Sequence, residues 1–224
     1  MLNFWGINLH VYGLILGFAI LSAREMVSKV AKERKLDEKL LDKLLVVGVA
    51  GGIVGARLYH VLDNFSYYSE NVVKIFFVGE GGLGIWGGIL GGTIAVCLTL
   101  HIAHCTLKMA EILDLGAIGL PLGQSIGRWG NFFNGEIVGK NGEQLFLVES
   151  MANLLLFYFI YCQRNKYRGI LFGIYLVGYG LARLTLENFR SASDQWLIGV
   201  VNIAMVLAVM AILAGIGIIW RRRT

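Results

Sequence analysis

Proline occurs once in this chain, at Pro121, and the three cysteines, Cys97, Cys105 and Cys162, share no CxxC spacing. That pattern offers no disulfide framework and leaves free thiols, read as buried. Charge is scarce as well. Asp, Glu, Lys and Arg make up 16% of the residues, against roughly 25% in soluble domains. The composition excludes a disordered chain, a basic nucleic-acid-binding domain and an ordinary soluble enzyme, in spite of a formal net charge of +5. What the chain has instead is apolar residues, 56% of its 224, together with 30 glycines and a mean hydropathy of +0.66. Lipid-embedded helices tolerate such a glycine content, because small residues let them approach closely.

A membrane-crossing helix needs about 20 apolar residues. Apolar stretches run at 4–23, 41–62, 82–103, 112–127, 146–162, 169–187 and 196–220. They predict an all-α integral membrane protein, a single bundle over 1–224 of seven transmembrane helices with very short outer loops. No basic residue precedes the first stretch, so it is not a signal peptide. With the N-terminus outside, the inner segments carry Arg24, Lys29, Lys32, Arg34, Lys35, Lys39, Lys43, Lys108, Arg164, Lys166, Arg168, Arg221, Arg222 and Arg223, while the outer loops keep Lys74, Lys140 and Arg190. That asymmetry predicts N-terminus out and C-terminus in. The basic excess then faces anionic headgroups of the inner leaflet, not nucleic acid. The stretch 24–43 mixes both signs at helical spacing and reads as an amphipathic surface helix running into the second span.

An ionisable side chain at the bilayer centre costs about 2.5–3.5 kcal/mol on insertion scales, so each one asks for a reason. Here Arg57, Asp114, Arg128, Glu149, Arg183 and Glu187 lie within or at the ends of the predicted spans, with Glu136 just beyond Arg128. All except Asp114 fall toward the outer ends of their spans, so they converge on one level. Arg183 and Glu187 stand one helical turn apart and can pair. Arginine stays charged in any surroundings, and a surplus of it calls for an anion. In an outer leaflet that anion is a lipid phosphate, which a guanidinium binds through a bidentate fork.

Two segments differ from ordinary lipid-facing helices. EGGLGIWGGILGG at 80–92 is nearly half glycine, which either packs two helices closely or opens backbone N–H groups to an anion. PLGQSIGRWGNFFNGEIVG at 121–139 sets Gln124, Ser125, Arg128, Asn131, Asn134 and Glu136 among glycines at the membrane boundary. So polar a stretch suits a re-entrant or helix-end element lining a cavity.

With its neighbours, this second segment resembles the prolipoprotein diacylglyceryl transferase family. The resemblance rests on G-R-x-G-N-F-x-N-G-E from Gly127 to Glu136, supported by Tyr12–Gly13, G-A-R at 55–57 and the glycine run at 81–92. Asp114, Glu149 and Y-G-x-x-R-x-x-x-E-x-x-R from Tyr179 to Arg190 follow in the family's order. It implies transfer of the diacylglyceryl group of phosphatidylglycerol to the lipobox cysteine thiol of a preprolipoprotein, with release of glycerol 1-phosphate, in the bacterial cytoplasmic (inner) membrane with the active site toward the outer leaflet. The implied catalytic residues are Tyr12, Arg128, Asn131, Arg183 and Glu187. The implied substrate-binding residues are Arg128, Asn134, Glu136, Gly139 and Tyr179, and Arg57, Trp86 and Glu149 join them as candidates from their positions along the chain. Neither a cofactor nor a metal is expected, since the acids and histidines lack ligand spacing.

The departures are specific. Trp86 stands in GIWGG where many members have a histidine proposed as the thiol's base, and an indole cannot accept that proton. His60 and His10 are the remaining candidates near the outer side, while His101 and His104 lie at the inner end of the third span. The loop after Gly139 is short, so the head domain of larger relatives is largely absent. Lys140 replaces the usual arginine, and the HP-x-x-LYE pattern is reduced to QLFLVE at 144–149. The competing reading is a non-catalytic phospholipid-binding protein or a transporter using the same arginines, although the internal repeat usual in transporters is not seen.

Overall fold

A computed structural model describes residues 2–4, 7–9, 11–77, 79, 81–103, 107–135, 138–191 and 195–222. Its contacts divide into two compact units, one of residues 1–34 and 107–224, the other of residues 35–106. Among the described residues the architecture is almost entirely helical, and two tiny antiparallel ribbons are the exception.

In the first unit, β1 (Leu2–Phe4) pairs with β2 (Ile7–Leu9) ahead of α1 (Val11–Glu33). The chain returns through α5 (Met109–Asn134), α6 (Leu145–Cys162) and α7 (Leu171–Glu187). A second ribbon, β3 (Leu197–Ile198) with β4 (Val201–Asn202), leads into α8 (Ile203–Arg221). Helix α5 is the hub: α1, α6 and α7 all pack on it, and α8 packs on α7. Its core positions Leu115, Ala117, Ile118 and Pro121 are buried. Two hydroxyls lock α5 to α6, Ser125 Oγ donating to the Ser150 carbonyl at 2.9 Å and Ser150 Oγ to the Ser125 carbonyl at 2.8 Å. Interhelical bonds of this type replace the hydrophobic drive that lipid removes.

The second unit is built on α2 (Glu38–Asp63) and α4 (Ile85–Ile102), with a short helix α3 (Phe65–Glu70) and a 3-10 turn at Val72–Phe76 between them. The glycine-rich run takes the packing alternative. A Cβ on Gly55 would overlap the Gly87 carbonyl and Gly91 Cα, so the two backbones touch. Gly81 and Gly82, with φ of +92° and +72°, make the turn that delivers the chain into α4.

Five helices (α1, α2, α4, α6 and α8) are long and apolar enough to cross a membrane. Their outer faces present Phe18, Leu21, Val46, Leu98, Leu155 and Leu213, a distribution that suits lipid and not water. Helices α5 and α7 coincide with the other two predicted spans.

Several boundaries differ from the sequence reading. The first helix begins at Val11, not residue 4, and runs to Glu33. Residues 24–33 therefore extend α1 and do not form a surface helix leading into α2. The break falls at Lys35, which takes the left-handed φ of +57°, and α2 restarts at Asp37, whose carboxylate accepts from the Lys39 and Leu40 amides. Helix α5 continues through 121–134 and stops at Gly135, φ +68°, so Asn131 and Asn134 lie on a regular helix and not on a re-entrant element. Residues 197–202 form a ribbon before α8 starts. Cys97 and Cys162 are free but exposed on helix faces, contrary to the buried thiols expected, while Cys105 lies outside the described residues.

Candidate functional site

In the first unit, α5, α6 and α7 bring charge to one place. Glu149 sits one turn into α6 and is 4% exposed. Its Oε2 lies 2.6 Å from Arg128 Nε on α5, and its Oε1 lies 3.2 Å from Arg183 Nη1 on α7. Arg183 is shared: its Nη2 stands 3.1 Å from Oε2 of Glu187, one turn along the same helix. Glu187, 1% exposed, also accepts from Asn202 Nδ2 at 3.1 Å.

A third arginine completes the group. Arg190 follows α7 by one turn and stands 3.9 Å from both Glu149 and Glu187. Burial first, and then the positive charge of Arg183, pull its pKa below the ordinary arginine value. The distribution of basic residues puts Arg190 in an outer loop, and the pattern that starts at Tyr179 ends on it. Its position three residues after Glu187 was the available signal, since i,i+3 residues share a face. Among the described residues, three arginines meet two glutamates here.

Loop pairing fixes that arginine. Gly139 bridges Arg190 in antiparallel fashion, and the Lys140 amide donates to the Phe189 carbonyl at 2.9 Å. The same glycine donates its amide to the Glu143 carbonyl at 2.8 Å, and a Cβ there would strike the Glu143 side chain. Glu143 in turn accepts from Asn141 Nδ2 at 2.8 Å and the Asn141 amide at 2.9 Å. The Asn141 side chain, chiefly, holds the Glu143 carboxyl below the usual carboxylate range.

Other predicted residues frame the cluster. Tyr179 lines a small cavity with Arg128, Glu149, Asn153 and Arg183 and stacks on Tyr175 at a centroid separation of 5.8 Å. Tyr175 accepts a hydrogen bond from Gln124 of α5 at 2.9 Å. Tyr12 of α1 lays its ring against Gly130 of α5, where any side chain would collide with it. Asn131 and Asn134 occupy the final turns of α5 beyond Arg128. Glu136 and His10 lie outside the described residues.

Arg57 requires a correction. In the second unit, 6% exposed, its guanidinium donates to the carbonyls of Lys74, Ile75, Phe77, Gly81 and Gly82 at 2.5–3.1 Å. Five N–H groups meet five acceptors, so Arg57 pins the segment ahead of α4 and has no donor to spare for an anion. Trp86, half-buried in the first turn of α4, belongs to the same unit. So does His60, engaged with Asn64 at 3.4 Å and edge-on to Tyr68.

Asp114 anchors the opposite end of the first unit. Fully buried on α5, it accepts from the backbone amides of Gly169 and Leu171 at the start of α7 and stands 3.7 Å from Arg34. A cavity of about 390 Å³ beside it is lined by Arg221 and Arg222 and by none of the clustered arginines. Its partners are structural.

Comparison with known proteins identifies the family. The family described as prolipoprotein diacylglyceryl transferase matches residues 1–221. A phosphatidylglycerol–prolipoprotein diacylglyceryl transferase of Symbiobacterium thermophilum is 34% identical over 96% of this chain and 89% of its own. The proteins of that name from Streptococcus equi subsp. zooepidemicus (32%, over 96% of this chain and 92% of the relative) and Parasynechococcus marenigrum (31%, over 100% and 93%) are similar to it along the same length. With the match running from end to end, this multi-pass membrane chain belongs to the prolipoprotein diacylglyceryl transferase family.

Proposed function

We propose that the chain transfers the diacylglyceryl group of phosphatidylglycerol to the lipobox cysteine of a preprolipoprotein, and that the cluster on α5, α6 and α7 is where it does so. The names of its relatives support the reaction. The observation that carries the site is the convergence of three guanidinium groups, Arg128, Arg183 and Arg190, from α5, α7 and the turn after α7, on the buried Glu149, because guanidinium groups are what a phosphodiester binds.

In this reading Arg128 and Arg183 hold the lipid phosphate, each through the planar fork that suits such oxygens. Glu187, fixed by Asn202, orients Arg183. Tyr12, Asn131, Asn134, Glu136, Gly139 and Tyr179 shape the headgroup site around them. The thiol sulfur attacks the glyceryl carbon bonded to the phosphate ester oxygen, that C–O bond breaks, and glycerol phosphate leaves. The arginines stabilise the charge that grows on the leaving phosphate, the electrostatic term that dominates such transfers. Seven spans, with the N-terminus outside, would set the cluster toward the outer leaflet of the bacterial cytoplasmic membrane; the distribution of Lys and Arg along the chain supports that orientation.

The test is direct. Purified protein in phosphatidylglycerol vesicles, given a lipobox peptide, is expected to add a diacylglyceryl mass to the peptide cysteine. Arg128→Ala and Arg183→Ala are each expected to lower turnover by about 10²–10³-fold, as for loss of one oxyanion donor. Near-normal turnover in both variants would remove the phosphate grip. A wild-type protein that binds the lipid and leaves cysteine unmodified would make this a non-catalytic phospholipid binder.

A further inference from the structure

The Trp86 side chain has no acceptor nitrogen, and His60 belongs to the second unit, where its Nδ1 stands 3.4 Å from the Asn64 amide and its ring packs edge-on to Tyr68. The described residues of the first unit include no histidine, which leaves carboxylates as the acceptors beside the cluster. Glu149 is suited to take the thiol proton. Its carboxylate bridges Arg128 and Arg183, the two groups assigned above to the lipid phosphate. A small cavity opens at that point, and a phosphate gripped by both arginines takes the place that the Glu149 carboxylate holds between them.

The two glutamates differ in how firmly they are held. Glu187 has a side-chain amide on Oε1, from Asn202, and its own helix neighbour on Oε2. Glu149 is held by the guanidinium groups of Arg128, Arg183 and Arg190, all from other elements, whereas Glu187 keeps a neutral amide; the Oε2 of each carboxylate makes an ionic contact without hydrogen-bond geometry. An incoming phosphate competes for the same two cations and displaces Glu149.

We propose that Glu149 is the proton acceptor of the reaction: phosphate takes Arg128 and Arg183 from it, and the released carboxylate accepts the proton of the attacking thiol. The inference rests on the transferase reading above. The bookkeeping of the step is complete. The S–H proton passes to a Glu149 carboxylate oxygen, and the sulfur electron pair forms the new C–S bond. The C–O bond breaks with its pair on the phosphate oxygen, which leaves as a monoester dianion.

Charge supports the same assignment. The monoester leaves with one more negative charge than the diester brought, and a proton kept on Glu149 offsets that gain beside the phosphate, whereas a proton lost to solvent would not. Among the described residues, the charged and titratable groups facing Glu149 are Arg128 from α5, Tyr179, Arg183 and Glu187 from α7, and Arg190 after it.

The experiment compares wild type, Glu149→Gln and Glu149→Asp in phosphatidylglycerol vesicles. Each receives a lipobox peptide carrying either cysteine or selenocysteine, whose selenol is ionised at neutral pH. With cysteine, Glu149→Gln is expected to lose about 10²–10⁴-fold in kcat, the usual contribution of a general base, while KM for the lipid is unchanged or lower because a competing carboxylate is gone. Glu149→Asp recovers part of the loss. With selenocysteine the gap between wild type and Glu149→Gln shrinks at least tenfold.

An equal loss with both peptides means a structural role, and no loss means no role; either overturns the proposal. The wild type alone supplies a second check, free of any folding defect in the variants. Its kcat with cysteine is expected to be flat from pH 7 to 9, whereas a rate climbing toward the thiol's own ionisation near 8.5 overturns Glu149 as the acceptor. A wild type that modifies neither peptide overturns the transferase reading and this inference with it.

Discussion

A lysine at position 57 would bring three donors to the five carbonyls that Arg57 serves. At least two buried acceptors would go unmet, at about 1–3 kcal/mol each. Arg57→Lys is therefore expected to lower the thermal stability of the detergent-solubilised protein markedly, although the charge is kept. An unchanged melting temperature would contradict the pinning role. Asn202 separates two functions in one side chain. Its Oδ1 caps α8 by accepting from the Met205 amide at 3.2 Å, and its Nδ2 holds Glu187. Asn202→Asp keeps the cap and loses the donor, so lipidation should fall while α8 persists. Asn202→Ala loses both, with about 1 kcal/mol from the missing cap alone. Circular dichroism alongside the lipidation assay separates the two.

At the scale of elements, the glycines of α2 and α4 set how near two helices come. Gly55→Ala drives a methyl into the α4 backbone and is expected to destabilise by about 1–3 kcal/mol. Gly13→Ala, in α1, meets nothing within 4 Å and should be neutral or gain up to about 1 kcal/mol of helix propensity. Chemical denaturation of both variants checks the contrast. The loop between α5 and α6 has its own dependence on acidity. Glu143 has a folded pKa lower than its unfolded one, through Asn141 above all. Its contribution to loop order is present above the ordinary glutamate value of about 4.3 and disappears as pH falls through the lower folded value. Glu143→Gln should abolish that acid dependence in hydrogen exchange of the 139–144 amides. These elements also show what the chain discloses before it folds. The glycine run admitted packing or anion binding, and only the facing glycines on α2 decided between them. The end of α1 was illegible, because the mixed charges of 24–43 fit a helix on either side of Lys35, and a single left-handed residue makes the break.

For the molecule as a whole, the charged level at Arg128, Glu149, Arg183 and Glu187 was legible because lipid makes each such residue expensive, whatever the fold. Pairing was not. Depth along a span says nothing of which face a side chain takes, so Arg57 joined the group on paper while its donors belong to a neighbouring turn. Arg190 was the converse case: its i,i+3 spacing from Glu187 pointed toward the cluster, and a backbone bridge to Gly139 holds it there.

The first unit is assembled from two stretches of chain separated by the second, and that order has a consequence for biosynthesis. Helix α1 leaves the ribosome first yet must wait for α5, with more than 70 residues emerging in between. Glu187 waits longer still, until Asn202 has followed it out. Nascent chains halted before residue 202 should hold a buried carboxylate short of one donor, and be cleared by membrane proteases faster than chains halted after α8. Pulse-chase labelling of the two lengths would show it.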